Sequence, residues 1–293
     1  MTPEQILAEP PRVLTQNQRE SYFERGYVTV ESLISDKTIK RLNEVTNDFV
    51  EQSRSITRSG ADYDVADDHS ADSPKIRRLK MPDRLHEDYW GFATGLIADV
   101  AADLVGPDVV FHHSKLNFKW DAGSDDVKWH QDIQFYPHTN YSPLTIGTYL
   151  ADTGMDDGPL MVVSGSHNGP LFDQYDEDGS WVGCLSAEDA STVDTGSVDY
   201  LTGPAGSITV HNCRTVHGSP PTGRPSGRPL LLNAYASADA FPYTAHPQPT
   251  ANTGKVIRGQ PARWAHHDPR PCLIPPDWSG GYDSIFAAQD EEG

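Results

Sequence analysis

The chain has 293 residues, 37% of them hydrophobic, which suits one large globular domain. Its 42 acidic and 23 basic residues give a formal net charge of -19, which repels phosphates and anionic lipid surfaces and so excludes nucleic acid and membrane partners. Three scattered cysteines exclude a disulfide framework, and the lack of a leader-like or long apolar run predicts a cytoplasmic protein.

The first part of the chain, residues 1–108, is expected to be mainly helical. Thr15 and Gln18 form a capping-box pattern that opens a helix, and Gly26 stands where that helix should end. Ser35 can cap a second helix, in which apolar residues recur every three or four positions. That periodicity predicts one buried helix face.

A polar segment separates these helices from the next one. Residues 53–80 begin with an acidic stretch that has almost no large apolar side chains, so a flap loop is predicted there. The segment ends in the basic run KIRRLK at 75–80. A third helix is predicted from about Arg84 to Leu104, with Gly106 ending it.

The pattern then changes to short apolar runs separated by Gly, Pro, Asp and Ser, which is typical of strands joined by turns. Six runs share this pattern: 109–111, 116–120, 144–150, 160–163, 207–210 and 230–235. They predict a mainly β fold with flanking helices and a jelly-roll core over residues 109–240. Residues 241–293, rich in Pro and His, are expected to wrap this core as extended segments of the same single domain.

A histidine and a carboxylate in the core stand two residues apart. On an extended backbone the side chains of His130 and Asp132 point to the same side, so both can reach one metal ion. A distant histidine would complete the two-histidine, one-carboxylate set of non-haem Fe(II) oxygenases. His211 and His217 are the candidates. If the segment between them were one extended strand, they would lie roughly 20 Å apart, so only one could bind the ion.

Arg228 selects His217. The rigid guanidinium fork matches the distal carboxylate of a dicarboxylic cosubstrate and must lie near the metal without binding it. The offset from His217 (228 − 217 = 11) allows a turn through Pro220–Gly223 and a return along the next strand. Arg228 also precedes the apolar run Leu230–Leu232, which a surface arginine would not be expected to do.

The order of these motifs resembles the phytanoyl-CoA dioxygenase family over most of residues 12–240. The matching segments are His130-Gln131-Asp132, Gly158-Pro159-Leu160, Gly165-Ser166-His167, His217-Gly218-Ser219 and Arg228. The resemblance implies a double-stranded β-helix (cupin-like) core. It further implies Fe(II) bound by His130, Asp132 and His217, and 2-oxoglutarate bound by Arg228. O2 would be the oxidant, and the cosubstrate would leave as succinate and CO2.

The resemblance also implies further cosubstrate contacts. Lys75 resembles an upstream lysine of the family, and Thr148 stands where some members carry a tryptophan. Gln131 and Asn117 are assigned to the same pocket. Because related halogenases replace the metal-binding carboxylate with a small residue, Asp132 predicts a hydroxylase.

The predicted reaction is hydroxylation of an unactivated C–H bond in a small metabolite. Arg77 and Arg78, with Lys80 beside them, could bind a carboxylate, phosphate or phosphonate of the substrate, or could be solvated charges at a strand edge. Phe135 and Tyr149 could line the substrate pocket or simply pack. Whether the protein is a monomer or a homo-oligomer is left open.

Two other classes are weighed against this enzyme. A non-catalytic jelly-roll protein could bind a metal and a ligand without oxidising it, and a zinc-dependent hydrolase could use the same histidines and carboxylate. The sequence has no H-E-x-x-H segment, and zinc would not explain Arg228.

Overall fold

The structure is a computed structural model that describes residues 1–120, 126–223, 227–278, 282 and 285–290. Within these residues the strands are β1 (Tyr27–Val30), β2 (Tyr63–Val65), β3 (Ile76–Lys80), β4 (Val109–Asn117), β5 (Val127–His130), β6 (Leu144–Tyr149), β7 (Leu160–Val163), β8 (Val198–Leu201), β9 (Ile208–Asn212), β10 (His217–Ser219), β11 (Leu230–Ser237) and β12 (Val256–Arg258). The helices are α1 (Pro3–Ala8), α2 (Gln16–Arg25), α3 (Asp36–Gln52), α4 (Pro82–Leu85), α5 (Glu87–Ala93), α6 (Leu96–Val105), α7 (Ala187–Thr192) and α8 (Ile285–Asp290).

Two antiparallel sheets form the body of the described chain. The larger sheet runs in the order β1-β9-β6-β11-β4-β3-β2, and β12 pairs with β4. The smaller sheet runs in the order β5-β10-β7-β8. Neighbouring strands are distant in sequence, as in a jelly roll, where the chain crosses repeatedly between two sheets. The predicted class, mainly β with flanking helices around a jelly-roll core, is confirmed.

The main hydrophobic core lies between the larger sheet and the N-terminal helices. Leu42 and Val45 of α3, Val100 and Leu104 of α6, and Phe111 of β4 belong to one buried cluster. Burying a side chain of this kind contributes about 1.5–3 kcal/mol. The helices therefore hold one face of the larger sheet, and the other face is left for the smaller sheet and the cavities between the two.

The predicted N-terminal helix boundaries are confirmed. The Thr15 hydroxyl accepts a bond from the Gln18 backbone, and the Gln18 side chain accepts one in return. Ser35 caps α3 in the same way at its own third residue. Gly26 ends α2 with φ +83°, and a Cβ there would lie 2.5 Å from Nδ1 of His167, so the position needs a glycine for both reasons.

The single helix predicted from Arg84 to Leu104 is wrong, because three short helices occupy that region. His86 is extended and caps α5 with its ring, and Gly95 leaves helical geometry before α6. Local capping by these two residues interrupts a sequence whose apolar periodicity continues across both breaks.

The predicted flap at 53–80 is structured in its second half. It contains the hairpin of β2 and β3, and β3 joins the larger sheet beside β4. Ile76 and Leu79 are fully buried, so this strand is part of the core. Strand β4 joins the runs 109–111 and 116–120, which were predicted as separate strands, as far as Asn117. The polar residues between the two runs belong to the same strand and face a cavity.

The C-terminal segment, which was predicted to be extended, contains one strand and one helix among its described residues. Strand β12 extends the larger sheet, and α8 packs against the smaller one, where Gln289 bonds to the backbone of Lys128 and Gly183. Ile285 and Phe286 at the start of α8 are buried. Within the described residues, no helix has the length and apolarity needed to cross a membrane.

Candidate metal centre and adjoining cavities

Three potential metal ligands meet at the edge of the smaller sheet. His130 ends β5 and His217 begins β10, and the two residues are direct partners in the strand pairing. Asp132 follows β5 in a 3-10 turn that carries its carboxylate back toward both rings. Its Oδ1 lies 3.8 Å from Nε2 of His130 and 3.8 Å from Nε2 of His217. The structure thus brings the predicted triad together.

Backbone carbonyls set the tautomers of both histidines. Nδ1 of His130 donates to the carbonyl of Lys128 at 2.9 Å, and Nδ1 of His217 donates to that of Thr215 at 2.8 Å. In a neutral ring this leaves the lone pair on Nε2, the atom that faces Asp132. A carbonyl behind a histidine is the usual outer partner of a metal ligand. The donor set fits a divalent metal ion.

The ionisation of the three groups also suits metal binding. Burial lowers the pKa of His130 to about 4 and that of His217 well below its usual value, so both rings are neutral at physiological pH. Burial alone would raise the pKa of Asp132, but His217, His211 and Lys115 together lower it well below its usual value. Two neutral imidazoles and one carboxylate are therefore available without loss of a proton.

The predicted separation of His211 from His217 is wrong. The chain turns between β9 and β10, so the two ring centroids lie 4.2 Å apart, and Nε2 of His211 approaches Oδ2 of Asp132 at 3.5 Å. Neither ring nitrogen of His211 has a hydrogen-bond partner among the described residues, so no backbone group sets its tautomer. His217 and His130 both approach Oδ1, so the geometry favours His217, and its role as the third ligand stays a prediction.

This triad and Arg228 line one cavity between the sheets, and we call it the Arg228 cavity. The Arg228 side chain is 3% exposed, and its Nε and Nη1 have no hydrogen-bond partner among the described residues. The guanidinium carbon lies 5.9 Å from the centre of the Tyr149 ring. A buried cation with unpaired donors fits an anionic ligand such as a carboxylate.

The other predicted cosubstrate residues divide into one that reaches this cavity and three that do not. Asn117 lines it. Lys75 pairs instead with Asp68 at 2.5 Å, before β3 begins. The side-chain amide of Gln131 bonds to the backbone of neighbouring loops. For example, its Nε2 donates to the Arg214 carbonyl at 2.7 Å. For these residues, sequence proximity to a motif did not translate into a place in the cavity.

Thr148 is also outside the cavity, for a reason of strand geometry. Thr145 of β6 lines the cavity, and alternate residues of a strand face opposite sides, so Thr148 points away from it. Tyr149 faces the same side as Thr145, but its hydroxyl donates to the Leu201 carbonyl and its ring packs near Arg228. Tyr149 thus packs beside Arg228 and is not among the residues that line either cavity.

A second cavity adjoins the first, and we call it the His246 cavity. Phe135 and Arg78, two of the residues predicted to contact the substrate, line this cavity, and Arg78 also borders the Arg228 cavity. Arg77 lines neither cavity. Asp132 is shared by both, so a molecule in the His246 cavity lies next to the metal centre.

Sequence reasoning missed several residues of the His246 cavity. Lys115 borders both cavities, and burial lowers its pKa to about 8. His112 and His113 both face the cavity because a register shift lies at this point of β4, and His246 joins them after β11. Lys115 and Asn117 stand two residues apart, and a strand with polar residues at every second position has one polar face. This pattern could have indicated that Lys115 faces the cavity.

Comparison with known proteins gives a consistent picture. The family described as phytanoyl-CoA dioxygenase (PhyH) matches residues 22–228, more than half of the chain. A Stutzerimonas stutzeri protein named probable alpha-ketoglutarate-dependent hypophosphite dioxygenase is 29% identical over 280 residues, covering 94% of this chain and 97% of that protein. Ectoine dioxygenase of Bordetella bronchiseptica is 26% identical over 254 residues, covering 77% and 76%. EctD from S. alaskensis with bound Fe shares the fold, with a TM-score of 0.68 at 19% identity over 92% and 90% of the chains.

Proposed function

Because this chain belongs to the phytanoyl-CoA dioxygenase family, and is a dioxygenase that uses Fe(II), 2-oxoglutarate and O2, we propose that it hydroxylates an unactivated C–H bond of a small anionic molecule. One O2 and one 2-oxoglutarate would be consumed for each substrate. One oxygen atom would enter the substrate as a hydroxyl group and the other would enter succinate, with CO2 released.

The observation that carries the proposal is the position of Arg228 in the same cavity as the triad. Its unpaired, buried donors would hold the distal carboxylate of 2-oxoglutarate, and Asn117 would contact the same molecule. His130, Asp132 and His217 would bind the metal on one side only, which leaves the other side open to ligands. When bound, Fe(II) and 2-oxoglutarate supply the chemistry that activates O2. The chain orients both and surrounds them with buried walls.

The anionic substrate is inferred from the charge of the His246 cavity. Arg78, Lys80 and Lys115 line this cavity. Asp132 is the one carboxylate among the described lining residues, and it would bind the metal ion. In a chain of net charge -19 such an excess of cations is a local feature. It favours a substrate with a carboxylate or a phosphorus oxyanion.

A second candidate reaction is oxidation of a P–H bond in a small phosphorus oxyanion. The 29% identical relative, matched over 94% of this chain, is named as a hypophosphite dioxygenase. The same metal, cosubstrate and cationic cavity would serve either bond. The zinc hydrolase and binding-protein alternatives gain no support, because the similar proteins are named as dioxygenases.

The test is an anaerobic titration of the protein with Fe(II), with and without 2-oxoglutarate, followed by the visible charge-transfer band of a 2-oxoacid bound to iron. We expect a band that requires both and is lost in Asp132→Ala. Small carboxylates, phosphonates and hypophosphite are then screened aerobically for substrate-dependent succinate release. Tight zinc binding with no band would refute the proposal and favour the hydrolase or binding protein.

A further inference from the structure

Three histidines of the His246 cavity lie close enough to suggest a second metal site. His112 and His113 come from β4 and His246 from the segment after β11, and one ligand nitrogen of each lies within 4.8 Å of the others. Spacing alone would therefore assign a cation to this cluster. The hydrogen bonds of the rings decide the matter differently.

The tautomer of His246 is set against metal binding. The backbone N–H of Gln248 donates to its Nδ1 at 3.0 Å, so a neutral ring must carry its proton on Nε2. That Nε2 is buried and has no hydrogen-bond partner among the described residues. A nitrogen that carries a proton has no lone pair for a metal ion. The tautomer of His246 is therefore the opposite of the tautomers of His130 and His217.

One of the other two rings also presents an N–H group. Nδ1 of His112 and Nδ1 of His113 lie 2.6 Å apart, so one donates and the other accepts. Whichever ring accepts must carry its own proton on Nε2. Burial, with the neighbouring charges, lowers the pKa of both well below the usual value, so both are neutral. The cluster thus supplies two N–H donors, one from His246 and one from the His112–His113 pair, without adding charge.

The rest of the cavity has the same character. Nη2 of Arg78 is buried and has no hydrogen-bond partner among the described residues. Lys115 adds an ammonium group at the border with the Arg228 cavity. Unpaired buried donors cost free energy unless a ligand supplies acceptors. This cavity therefore suits a group that is rich in hydrogen-bond acceptors, such as an oxyanion.

We propose that His246, the His112–His113 pair and Arg78 hold the head group of the substrate, and that this head group is a phosphorus oxyanion. This inference rests on the proposed function, whose substrate it specifies. The donors come from β3, β4 and the segment after β11, so they approach from different directions. A tetrahedral group offers oxygens in several directions, whereas a planar carboxylate is satisfied by a single guanidinium fork, as at Arg228.

The experiment uses the complete protein loaded anaerobically with Fe(II) and 2-oxoglutarate. Methylphosphonate and acetate are titrated as probes, and binding is measured by calorimetry and by the change in the visible band. We expect methylphosphonate to bind at least about tenfold more tightly than acetate. His246→Phe should weaken methylphosphonate binding by about tenfold or more, the effect of one lost bond to a charged group. His246→Gln, which keeps an N–H donor, should restore most of it.

His246 lines only its own cavity, so 2-oxoglutarate affinity should be unchanged in both variants, which also shows that they are folded. His267→Phe, at an exposed histidine outside both cavities, is the matched control and should behave like the unaltered protein.

Several results would overturn the head-group site. Equal binding of acetate and methylphosphonate would remove the tetrahedral specificity, and unchanged binding in His246→Phe would remove the residue from the site. Elemental analysis that found a second metal equivalent, lost in His246→Phe, would make the cluster a metal site. A visible band with no response to methylphosphonate refutes the head-group site alone. Failure to form the band at all refutes the proposed function.

Discussion

Removal of the Arg228 guanidinium tests the cosubstrate site most directly. The side chain is 3% exposed, and its Nε and Nη1 have no hydrogen-bond partner among the described residues. A hydrogen bond from a charged donor contributes about 1.5–3 kcal/mol, so two such bonds to a bound carboxylate contribute about 3–6 kcal/mol. Arg228→Leu should raise the dissociation constant of 2-oxoglutarate by about 10²- to 10⁴-fold. Iron binding should be retained, since Arg228 is not one of the ligands.

The same substitution should leave the unliganded protein at least as stable. Burial lowers the pKa of Arg228, which reflects the cost of keeping its charge away from water without a partner. Replacing the guanidinium with an apolar side chain removes that cost. The urea midpoint of unfolding without 2-oxoglutarate should therefore stay constant or rise, whereas a residue that holds the fold together would lower it.

The assay pairs an anaerobic 2-oxoglutarate titration, followed by the visible band, with urea unfolding. Arg214→Leu is the matched control, because Arg214 is 5% exposed, donates to the Gly169 carbonyl at 2.6 Å and lines neither cavity. It should lose stability and keep its cosubstrate affinity. If Arg228→Leu bound 2-oxoglutarate within about threefold of the unaltered protein, the assignment of Arg228 to the distal carboxylate would be refuted.

Three further predictions concern the choice between His211 and His217, the stability at low pH, and the glycine that follows His217. By elemental analysis, His217→Ala should lose iron, whereas His211→Ala should retain one equivalent. The reverse result would make His211 the ligand. Because burial lowers the pKa of His138 from 6.5 to about 4, the unfolded chain takes up a proton first as pH falls. Stability measured in urea should therefore drop between about pH 6.5 and 4, and His138→Gln should reduce that slope by about 1.4 kcal/mol per pH unit. A Cβ at Gly218 would lie 2.6 Å from the β5 backbone. Gly218→Ala should therefore lower the free energy of unfolding by about 1–3 kcal/mol and weaken iron binding. Gly91→Ala, where a Cβ meets open space, should do neither.

Much of the framework could be predicted from sequence because it depends on local signals. The capping pattern at Thr15, the αL glycine at Gly26 and the alternation of strand runs are chemical properties of neighbouring residues. Motif order was also enough to select the histidines and carboxylate that the structure brings together. Arg228 could be placed because an arginine at the start of an apolar strand has few explanations.

The rest depended on contacts that sequence spacing does not contain. His211 and His217 were expected to be far apart, yet a turn between two sheets brings their rings within 4.2 Å. Thr148 was placed in the cavity from its distance to a motif, but the face of β6 excludes it. Lys75 found a partner in Asp68 on its own loop. In each case tertiary geometry decided which of several polar residues reached the site.

The twelve histidines of the chain illustrate the same limit at atomic scale. His130 and His217 each donate from Nδ1 to the carbonyl two residues before them, and so turn a lone pair toward Asp132. His246 accepts at Nδ1 from the amide two residues after it, and so turns an N–H group into its cavity. Histidine therefore favours a cation at one site beside Asp132 and an anion at the other. The direction of a single backbone hydrogen bond makes that choice, and no residue pattern records it.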